Sequence, residues 1–273
     1  MPVPILAYHL ITDDFDFGFA RSTLGQFRQQ MAWLKEHGYR TMTLKRLVEC
    51  QEVSTGSTHE HTIVLTFDDA YACLEKAAAI MEDFGFVGTC FPVAEFLGCF
   101  NSWDYQIGPR KFLHADAALL QSLIKAGWEA GSHSSQHANL LALSPQEVYN
   151  DLYSAKHRLE DRLGYQIVSI SYPFGRTNRS ICNIAARAGY KAGVSLGMRP
   201  GAISELGLLG LPRMGIYLFD NLLSFAFKVN IFNRTPRMGF LIQHIISSFS
   251  YGTILLKKLR NGTQKHQKAL LFH

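Results

Sequence analysis

Short apolar, β-branched runs alternate with helical patterns over roughly the first 215 residues. This alternation is typical of βα units around a largely parallel sheet. About seven repeats of strand and helix favour a closed barrel over an open sheet, so we predict an α/β fold, a distorted TIM-like (β/α)7-8 barrel. The predicted strands are Val3–Tyr8, Thr62–Phe67, Val87–Phe91, Trp128–Gly131, Ile167–Tyr172, Lys191–Ser195 and Leu211–Tyr217.

The clearest helix start lies at Ser144, which is followed by Pro145 and, three residues on, by Glu147. An N-cap serine, a proline at the first helical position and a glutamate at the third form a capping box. This pattern predicts a helix to about Leu163, ended by Gly164. Two further helices are predicted over Thr23–His37, with Ser22 as N-cap, and over Tyr71–Phe84, ended by Gly85.

The last sixty residues have a different pattern. Asn221–Phe232 and Met238–Leu256 are strongly apolar and are followed by the basic run Lys257–Arg260. We therefore predict a barrel over 1–217 and a helical C-terminal extension over 218–273. The extension is compatible with helices packed on the barrel, with an interfacial membrane helix, or with a membrane span interrupted by polar residues.

Charge is unevenly distributed along the chain. Residues 214–273 carry eight Lys or Arg against one acid, whereas 1–213 carry 19 bases and 21 acids. A slightly acidic main domain argues against a nucleic-acid enzyme, and the basic tail suits peripheral contact with an anionic membrane surface or plain solvation.

The five scattered cysteines contain no C-x-x-C pair and indicate neither a disulfide framework nor a thiolate zinc site. The start MPVPILAYHL lacks a basic n-region, so a cytoplasmic or peripherally membrane-associated location is expected.

Candidate chemistry begins where the apolar run Thr62–Phe67 ends in two adjacent carboxylates, Asp68 and Asp69. The C-terminal ends of strands are where α/β folds place their sites. Neighbouring carboxylates repel each other unless a cation or a shared proton relieves them. The alternative is that the pair caps the helix that follows.

A histidine pair, His133 and His137, follows the strand-like run Trp128–Gly131. Four residues apart, the two rings share one face if the segment forms a helical turn, so both can reach one ion. Two imidazoles and one carboxylate leave open positions for water, as in catalytic metal sites. In isolation, such a pair is usually a chance surface pair.

A third cluster is the turn Tyr172-Pro173-Phe174-Gly175, which directly follows a strand. Such a turn can aim a backbone N–H at a developing oxyanion. Without the other two clusters it is simply a turn.

Together the three clusters resemble, in order and spacing, the first three motifs of the polysaccharide deacetylases, the NodB-homology enzymes of carbohydrate esterase family 4. The resemblance extends over about residues 3–217. It implies that Asp68 is the general base, that Asp69, His133 and His137 bind the metal, and that the Phe174 backbone N–H contributes to the oxyanion hole. Substrate contacts are expected from Tyr172 and Pro173 in the same turn.

Three departures from the family pattern are visible. Ala70 stands where the family usually has glycine, and Ser171 where an arginine commonly orients the base. Arg213 is the candidate replacement for that arginine, with a surface role as the alternative. The usual late Leu-x-His motif is missing from its expected place. In the permuted branch resembling poly-N-acetylglucosamine deacetylases this histidine comes first, which implies that His9 is the general acid, or else a buried histidine at a strand end.

The resemblance implies a hydrolase that removes N-acetyl groups from an N-acetylated oligo- or polysaccharide with one divalent ion. Zinc suits the ligands, as do cobalt, nickel or manganese. Trp103, in the long loop Glu95–His114, is a candidate wall of a sugar groove, or an anchor of that loop. Two alternatives stay open: a related amidase acting on a non-sugar amide, and a non-catalytic saccharide-binding or scaffold protein of a polysaccharide assembly.

Overall fold

Parallel strands form the centre of the protein, as seen in a computed structural model that describes residues 3–14, 18–52, 61–101, 111–196 and 206–234. Seven of them follow one another in the order β7-β6-β5-β1-β10-β9-β8, and each pairing is parallel. The strands in this path are β1 (Ile5–Tyr8), β5 (Thr62–Asp69), β6 (Thr89–Pro92), β7 (Glu129–Ala130), β8 (Ser169–Ser171), β9 (Ala192–Leu196) and β10 (Leu211–Gly215). All seven predicted strands are confirmed, with ends shifted by a few residues.

The barrel closes between β7 and β8 through a single bridge, Ser132 to Ile170. Ser132 donates its N–H to the Ser169 carbonyl and accepts from the Ser171 N–H, both at 2.9 Å. The closure lies directly before His133, so the segment that follows β7 joins both ends of the sheet. The distorted barrel predicted from the sequence is therefore confirmed.

Three short strands lie outside this path. They are not predictable from the sequence, because two or three residues are too few for a recognisable period. They are β2 (Leu10–Ile11), which pairs with β3 (Arg21–Ser22), and β4 (Arg40–Met42), which pairs with β5.

Side chains alternate between the inside and the outside of the barrel. One apolar cluster contains residues such as Ile5, Val64, Phe91 and Val194, and helix α2 (Leu44–Glu52) packs into it through Leu44. We take this cluster as the barrel interior, with α2 covering one end. Alternate residues such as Leu65 pack outward in a larger cluster shared with the other helices.

The other described helices surround the barrel. They are α1 (Leu24–Glu36), α3 (Leu74–Asp83), α4 (Ala117–Lys125), α5 (Pro145–Leu163), α6 (Arg179–Arg187) and α7 (Leu222–Arg234). The capping box of Ser144 and Glu147 and the left-handed Gly164 that ends α5 are confirmed. The N-cap of α1 is Thr23, not Ser22, because Gln26 completes a capping box only with Thr23. Helix α3 begins later than predicted, at Leu74.

Helix α7 belongs to the predicted C-terminal extension and packs on the barrel. Phe225 is buried against Trp33 of α1, with ring centroids 5.9 Å apart and planes at 89°. Lys228 is buried as well, and its ammonium donates to the Gly215 carbonyl and pairs with Asp220. Among the described residues, no helix combines the length and apolarity needed to cross a bilayer. The second apolar run, Met238–Leu256, lies outside the described residues.

Candidate active site

The predicted base, Asp68, lies at the end of β5 and is paired with Arg213 of β10. Arg213 Nη1 donates to Asp68 Oδ1 at 2.8 Å and Nη2 donates to Oδ2 at 2.7 Å. Arg213 is fully buried, so the alternative of a surface arginine is wrong. A planar guanidinium bonded at two points fixes both the position and the plane of a carboxylate.

Two hydroxyl groups that the sequence analysis did not single out as partners complete the environment of Arg213. Nη1 also donates to Thr66 Oγ1 at 2.8 Å, and Nη2 to Ser171 Oγ at 2.7 Å. A buried ion pair needs such additional bonds to offset its lost hydration. Ser171 stands where the family commonly has its arginine, and here its small side chain accepts a hydrogen bond from the arginine that arrives from another strand.

Burial alone would raise the pKa of Asp68, but the Arg213 guanidinium, with His133 and His9, holds it well below its usual range. The Asp68 carboxylate is therefore ionised near neutral pH. His9, which follows β1, places Nε2 3.8 Å from Asp68 Oδ2, and its side chain keeps 20% of its surface exposed. A partly exposed ring beside the carboxylate can exchange protons with a ligand, which a fully buried histidine cannot.

The three predicted metal ligands converge. Asp69 Oδ1 lies 3.7 Å from His133 Nε2 and 3.6 Å from His137 Nε2, and all three residues are buried. Ligands about 2.0–2.1 Å from a tetrahedral zinc ion stand about 3.4 Å apart. The spacing of these atoms therefore fits one small cation among them.

The tautomer of His133 is the one that a metal ligand needs. Its Nδ1 lies 2.7 Å from the Ser171 carbonyl, which can only accept, so Nδ1 carries the proton and Nε2 presents its lone pair toward Asp69. Burial lowers the pKa of His133 to about 4, against the opposing effect of the Asp68 carboxylate. The ring is thus neutral near pH 7, as a ligand must be.

The two histidines are brought together by a bend and not by the helical turn considered in the sequence analysis. Ser134 and His137 both have left-handed backbones, with φ of 67° and 53°. The His137 N–H donates to Ser134 Oγ at 2.9 Å and closes a tight bend. This bend brings the rings together, with centroids 4.9 Å apart.

Side chains from other elements hold this bend, and no local pattern of residues indicates them. Asp151 of α5 accepts from the Ser135 N–H at 3.1 Å, and Glu95 accepts from Ser135 Oγ at 3.0 Å. Glu95 also accepts from the Gln136 amide at 2.8 Å. The bend is therefore fixed by carboxylates on its outer side.

The turn after β8 places Phe174 at the site. Its ring lies 4.7 Å from that of His137, and its backbone is left-handed, with φ of 60°. Gly175 follows with φ of 64°, and a Cβ there would lie 2.3 Å from Leu196 Cβ. The close approach of β9 thus requires glycine at this position.

Two predicted substrate contacts are not supported, because the side chains of Tyr172 and Pro173 are buried. Tyr172 has no exposed surface, and its hydroxyl donates to the Leu209 carbonyl at 2.8 Å within the packing around α6. The side chains of Tyr172 and Pro173 therefore contribute to the packing that supports the turn. Trp103 lies outside the described residues, so its predicted role stays a prediction.

The barrel gathers the paired Asp68, a histidine beside it and an Asp-His-His trio that could hold one metal ion. The family model for polysaccharide deacetylases matches residues 55–193, which is 139 of the 273 residues. The chain therefore belongs to the polysaccharide deacetylase family.

Similar proteins agree with this membership. YxkH of Bacillus subtilis (strain 168), named for a polysaccharide deacetylase, is 26% identical over 216 residues, 78% of this chain and 71% of that protein. The poly-beta-1,6-N-acetyl-D-glucosamine N-deacetylase of Staphylococcus aureus (strain MSSA476) is 24% identical over 63% of this chain, which spans 59% of that protein.

Solved structures share the fold. The Streptococcus pyogenes deacetylase PplD, in complex with acetate, has a TM-score of 0.68 at 22% identity, covering 82% of this chain and 96% of that one. IcaB from Ammonifex degensii has a TM-score of 0.64 at 16% identity, covering 84% of this chain and 95% of that one.

Proposed function

We propose that the protein hydrolyses the acetamide of an N-acetylated oligo- or polysaccharide and releases acetate and a free sugar amine. The observation that carries this proposal is the position of Asp68, paired with Arg213 and beside His9, next to the Asp69, His133 and His137 trio. When bound, a divalent ion supplies the Lewis acidity that polarises the carbonyl and acidifies water, which suits a carboxylate of low proton affinity.

The chain's own residues then divide the proton transfers. Asp68, held in one plane by Arg213, accepts a proton from the attacking water as the oxygen bonds to the acetyl carbon. His9 donates a proton to the nitrogen as the C–N bond breaks, so the amine leaves in neutral form. We assign to the Phe174 backbone N–H the stabilisation of negative charge on the carbonyl oxygen.

Asp69, His133 and His137 would hold the ion. Zinc suits two imidazoles and a carboxylate, and cobalt, nickel and manganese accept the same donors. Their surroundings orient both rings, His133 through Ser171 and His137 through its contact with Phe174.

The decisive variant is Asp68→Asn, measured by acetate release from N-acetylglucosamine oligomers and by the metal content of the purified protein. We expect turnover to fall at least about a thousandfold while one equivalent of metal remains bound, because Asn keeps the shape but cannot accept the proton. The control is Asp161→Asn, on the exposed side of α5. Near-normal turnover in Asp68→Asn would refute the base assignment.

The same purified protein separates the remaining alternatives. Bound metal with acetate release from non-sugar acetamides alone would indicate a related amidase. Glycan binding by a protein that takes up no added zinc would indicate a non-catalytic saccharide-binding protein.

We further propose that helix α7 rests on an anionic lipid surface. Phe219, which precedes the helix, and Leu223 and Phe227 within it expose 60%, 82% and 52% of their surface. Of the eight basic residues in 214–273, Lys228 is paired with Asp220, the one acid of this stretch, and the other seven complement anionic headgroups.

Flotation with phosphatidylcholine vesicles, with and without phosphatidylglycerol, tests this contact. We expect the full chain to float with anionic vesicles only, and the double variant Leu223→Ser/Phe227→Ser to float much less. The matched control is Leu141→Ser, at an exposed leucine on another element. Unchanged flotation of the double variant would overturn the proposal, and loss of a dimer in that variant would assign the surface to a second copy.

A further inference from the structure

Two adjacent carboxylates on a regular strand ordinarily cannot point into the same pocket. Successive side chains of a strand point to opposite faces, so Asp68 and Asp69 would diverge if β5 stayed regular to its end. The backbone instead turns left-handed at two successive residues, with φ of 62° at Asp69 and 45° at Ala70. This turn allows Asp69 to reach His133 and His137 while Asp68 faces Arg213.

A left-handed conformation costs a residue other than glycine roughly 1–2 kcal/mol. The family usually has glycine where this chain has Ala70, and glycine adopts this conformation without a steric penalty. The turn in this protein therefore needs more support than the same turn with glycine at position 70.

That support comes from residues 113–115, at the far end of the long loop. His114 is buried, and its Nδ1 lies 2.7 Å from the Asp69 carbonyl, so the ring must donate its Nδ1–H there. The Ala115 N–H donates to the Ala70 carbonyl at 2.8 Å. Both carbonyls of the left-handed pair are thus bonded to the same short segment, and the His114 ring stacks on Tyr71 with centroids 4.7 Å apart.

We propose that His114 is a positioning residue that holds the Asp69-Ala70 turn and so sets Asp69 as a metal ligand. Ala70 increases the dependence on His114, because glycine at position 70 would remove the penalty of one of the two left-handed residues and the turn would then need the imidazole less. The inference rests on the proposed function, in which Asp69 binds the ion. In this proposal His114 acts through Asp69 and is not one of the three metal ligands.

Four full-length proteins test the coupling: wild type, His114→Phe, Ala70→Gly and the double variant. Phenylalanine keeps a ring for Tyr71 but removes the donor. We expect His114→Phe to weaken zinc or cobalt binding by the metal-free protein about tenfold or more, as is usual when a supporting hydrogen bond behind a ligand is lost. Ala70→Gly should restore part of that affinity, although it restores no contact of His114.

His114→Asn provides the conservative rescue, because its side-chain amide can donate from nearly the position of Nδ1. We expect metal affinity close to that of wild type. His157→Phe, at a half-exposed histidine of α5, controls for loss of an imidazole.

A second measurement needs no metal. In urea unfolding of the metal-free proteins, Ala70→Gly should be more stabilising in the His114→Phe background than in wild type, and this difference measures the coupling directly. Equal effects of Ala70→Gly in both backgrounds would overturn the proposal, as would a loss of metal affinity that Ala70→Gly does not relieve. Failure of the wild type to bind metal would instead refute the proposed function, and the unfolding cycle would still decide the role of His114.

Discussion

Arg213 and Asp68 are joined by two parallel hydrogen bonds, 2.8 and 2.7 Å long, between the guanidinium of β10 and the carboxylate of β5. The two residues are 145 positions apart in the chain. Strand β1 lies between β5 and β10 in the sheet, because it pairs with both. The first strand of the chain therefore brings the predicted base and its arginine together.

This geometry predicts that an arginine at position 171 can replace Arg213 as the partner of Asp68. Arg213→Ser should reduce turnover by about a hundredfold or more, since Asp68 loses its orientation and its buried counter-charge. Ser171 Oγ lies 2.7 Å from Nη2, so an arginine at position 171 can place its guanidinium at the same carboxylate. The double variant Arg213→Ser/Ser171→Arg should recover about tenfold in kcat over the single variant.

The control for this exchange is Ser171→Arg alone, in which two guanidinium groups compete for one buried space. We expect it to be less stable than wild type in thermal melts. A double variant no more active than Arg213→Ser would show that the two positions are not equivalent.

Gly175 is predicted to be irreplaceable in the turn that carries Phe174. An alanine Cβ would lie 2.3 Å from Leu196 Cβ, and φ at Gly175 is 64°. Clash and strain together should lower the free energy of unfolding by about 2–4 kcal/mol. Urea unfolding measures this, with Gly38→Ala as control, because Gly38 has φ of 73° but no atom within 4 Å of the added Cβ. Equal losses in the two variants would exclude the clash.

Asp151 predicts a pH dependence of stability. Burial, helped by the neighbouring Glu95 carboxylate, raises the pKa of Asp151 from 3.8 to about 6. The folded protein therefore binds more protons than the unfolded chain between these values. The contribution of Asp151 to the free energy of unfolding is present below about pH 4 and is lost as the pH rises through about 6.

Asp151→Asn keeps an acceptor for the Ser135 N–H and does not titrate. We expect wild type to lose up to roughly 3 kcal/mol more stability than Asp151→Asn between pH 4 and pH 7. Urea unfolding at both pH values tests this, with Asp161→Asn as control on the exposed side of the same helix. Parallel pH profiles for wild type and Asp151→Asn would contradict it.

The buried pair of Lys228 and Asp220 predicts how α7 is attached. Lys228→Met leaves the Asp220 carboxylate buried without its cation, which typically costs about 3–5 kcal/mol. Hydrogen exchange should show faster opening of α7 and of the segment after β10. Adding Asp220→Asn should recover part of the loss, and Lys76→Met, on the exposed side of α3, should have little effect. Slow exchange in Lys228→Met would show that apolar packing alone holds the helix.

The barrel and the metal trio were predictable because each depends on local order. Strand-like runs of four to seven residues mark the strands of the barrel, and parallel strands bring their C-terminal ends to one side. Asp68, Asp69 and His133 stand within two residues of the end of such runs, so their convergence needed no knowledge of distant contacts. Arg213 could be predicted as the arginine that orients Asp68, because the usual position of that arginine is occupied here by Ser171.

Other parts of the site could not be predicted, because they depend on backbone conformations that residue type does not signal. Alanine at position 70 and histidine at position 137 rarely adopt positive φ, and only tertiary contacts show that they do. The support from Asp151 comes from a helix far along the chain. Tyr172 was misassigned for a related reason: its place in a motif does not reveal that its ring faces the packing around α6.

The single bridge between Ser132 and Ile170 is the thinnest part of the barrel wall, and the His133 ring is bonded across it to the Ser171 carbonyl. A transient parting of the wall at this place would withdraw a metal ligand in the same movement. The release of an ion held by His133 should therefore follow the rate at which the Ser132 and Ser171 amide protons exchange with solvent.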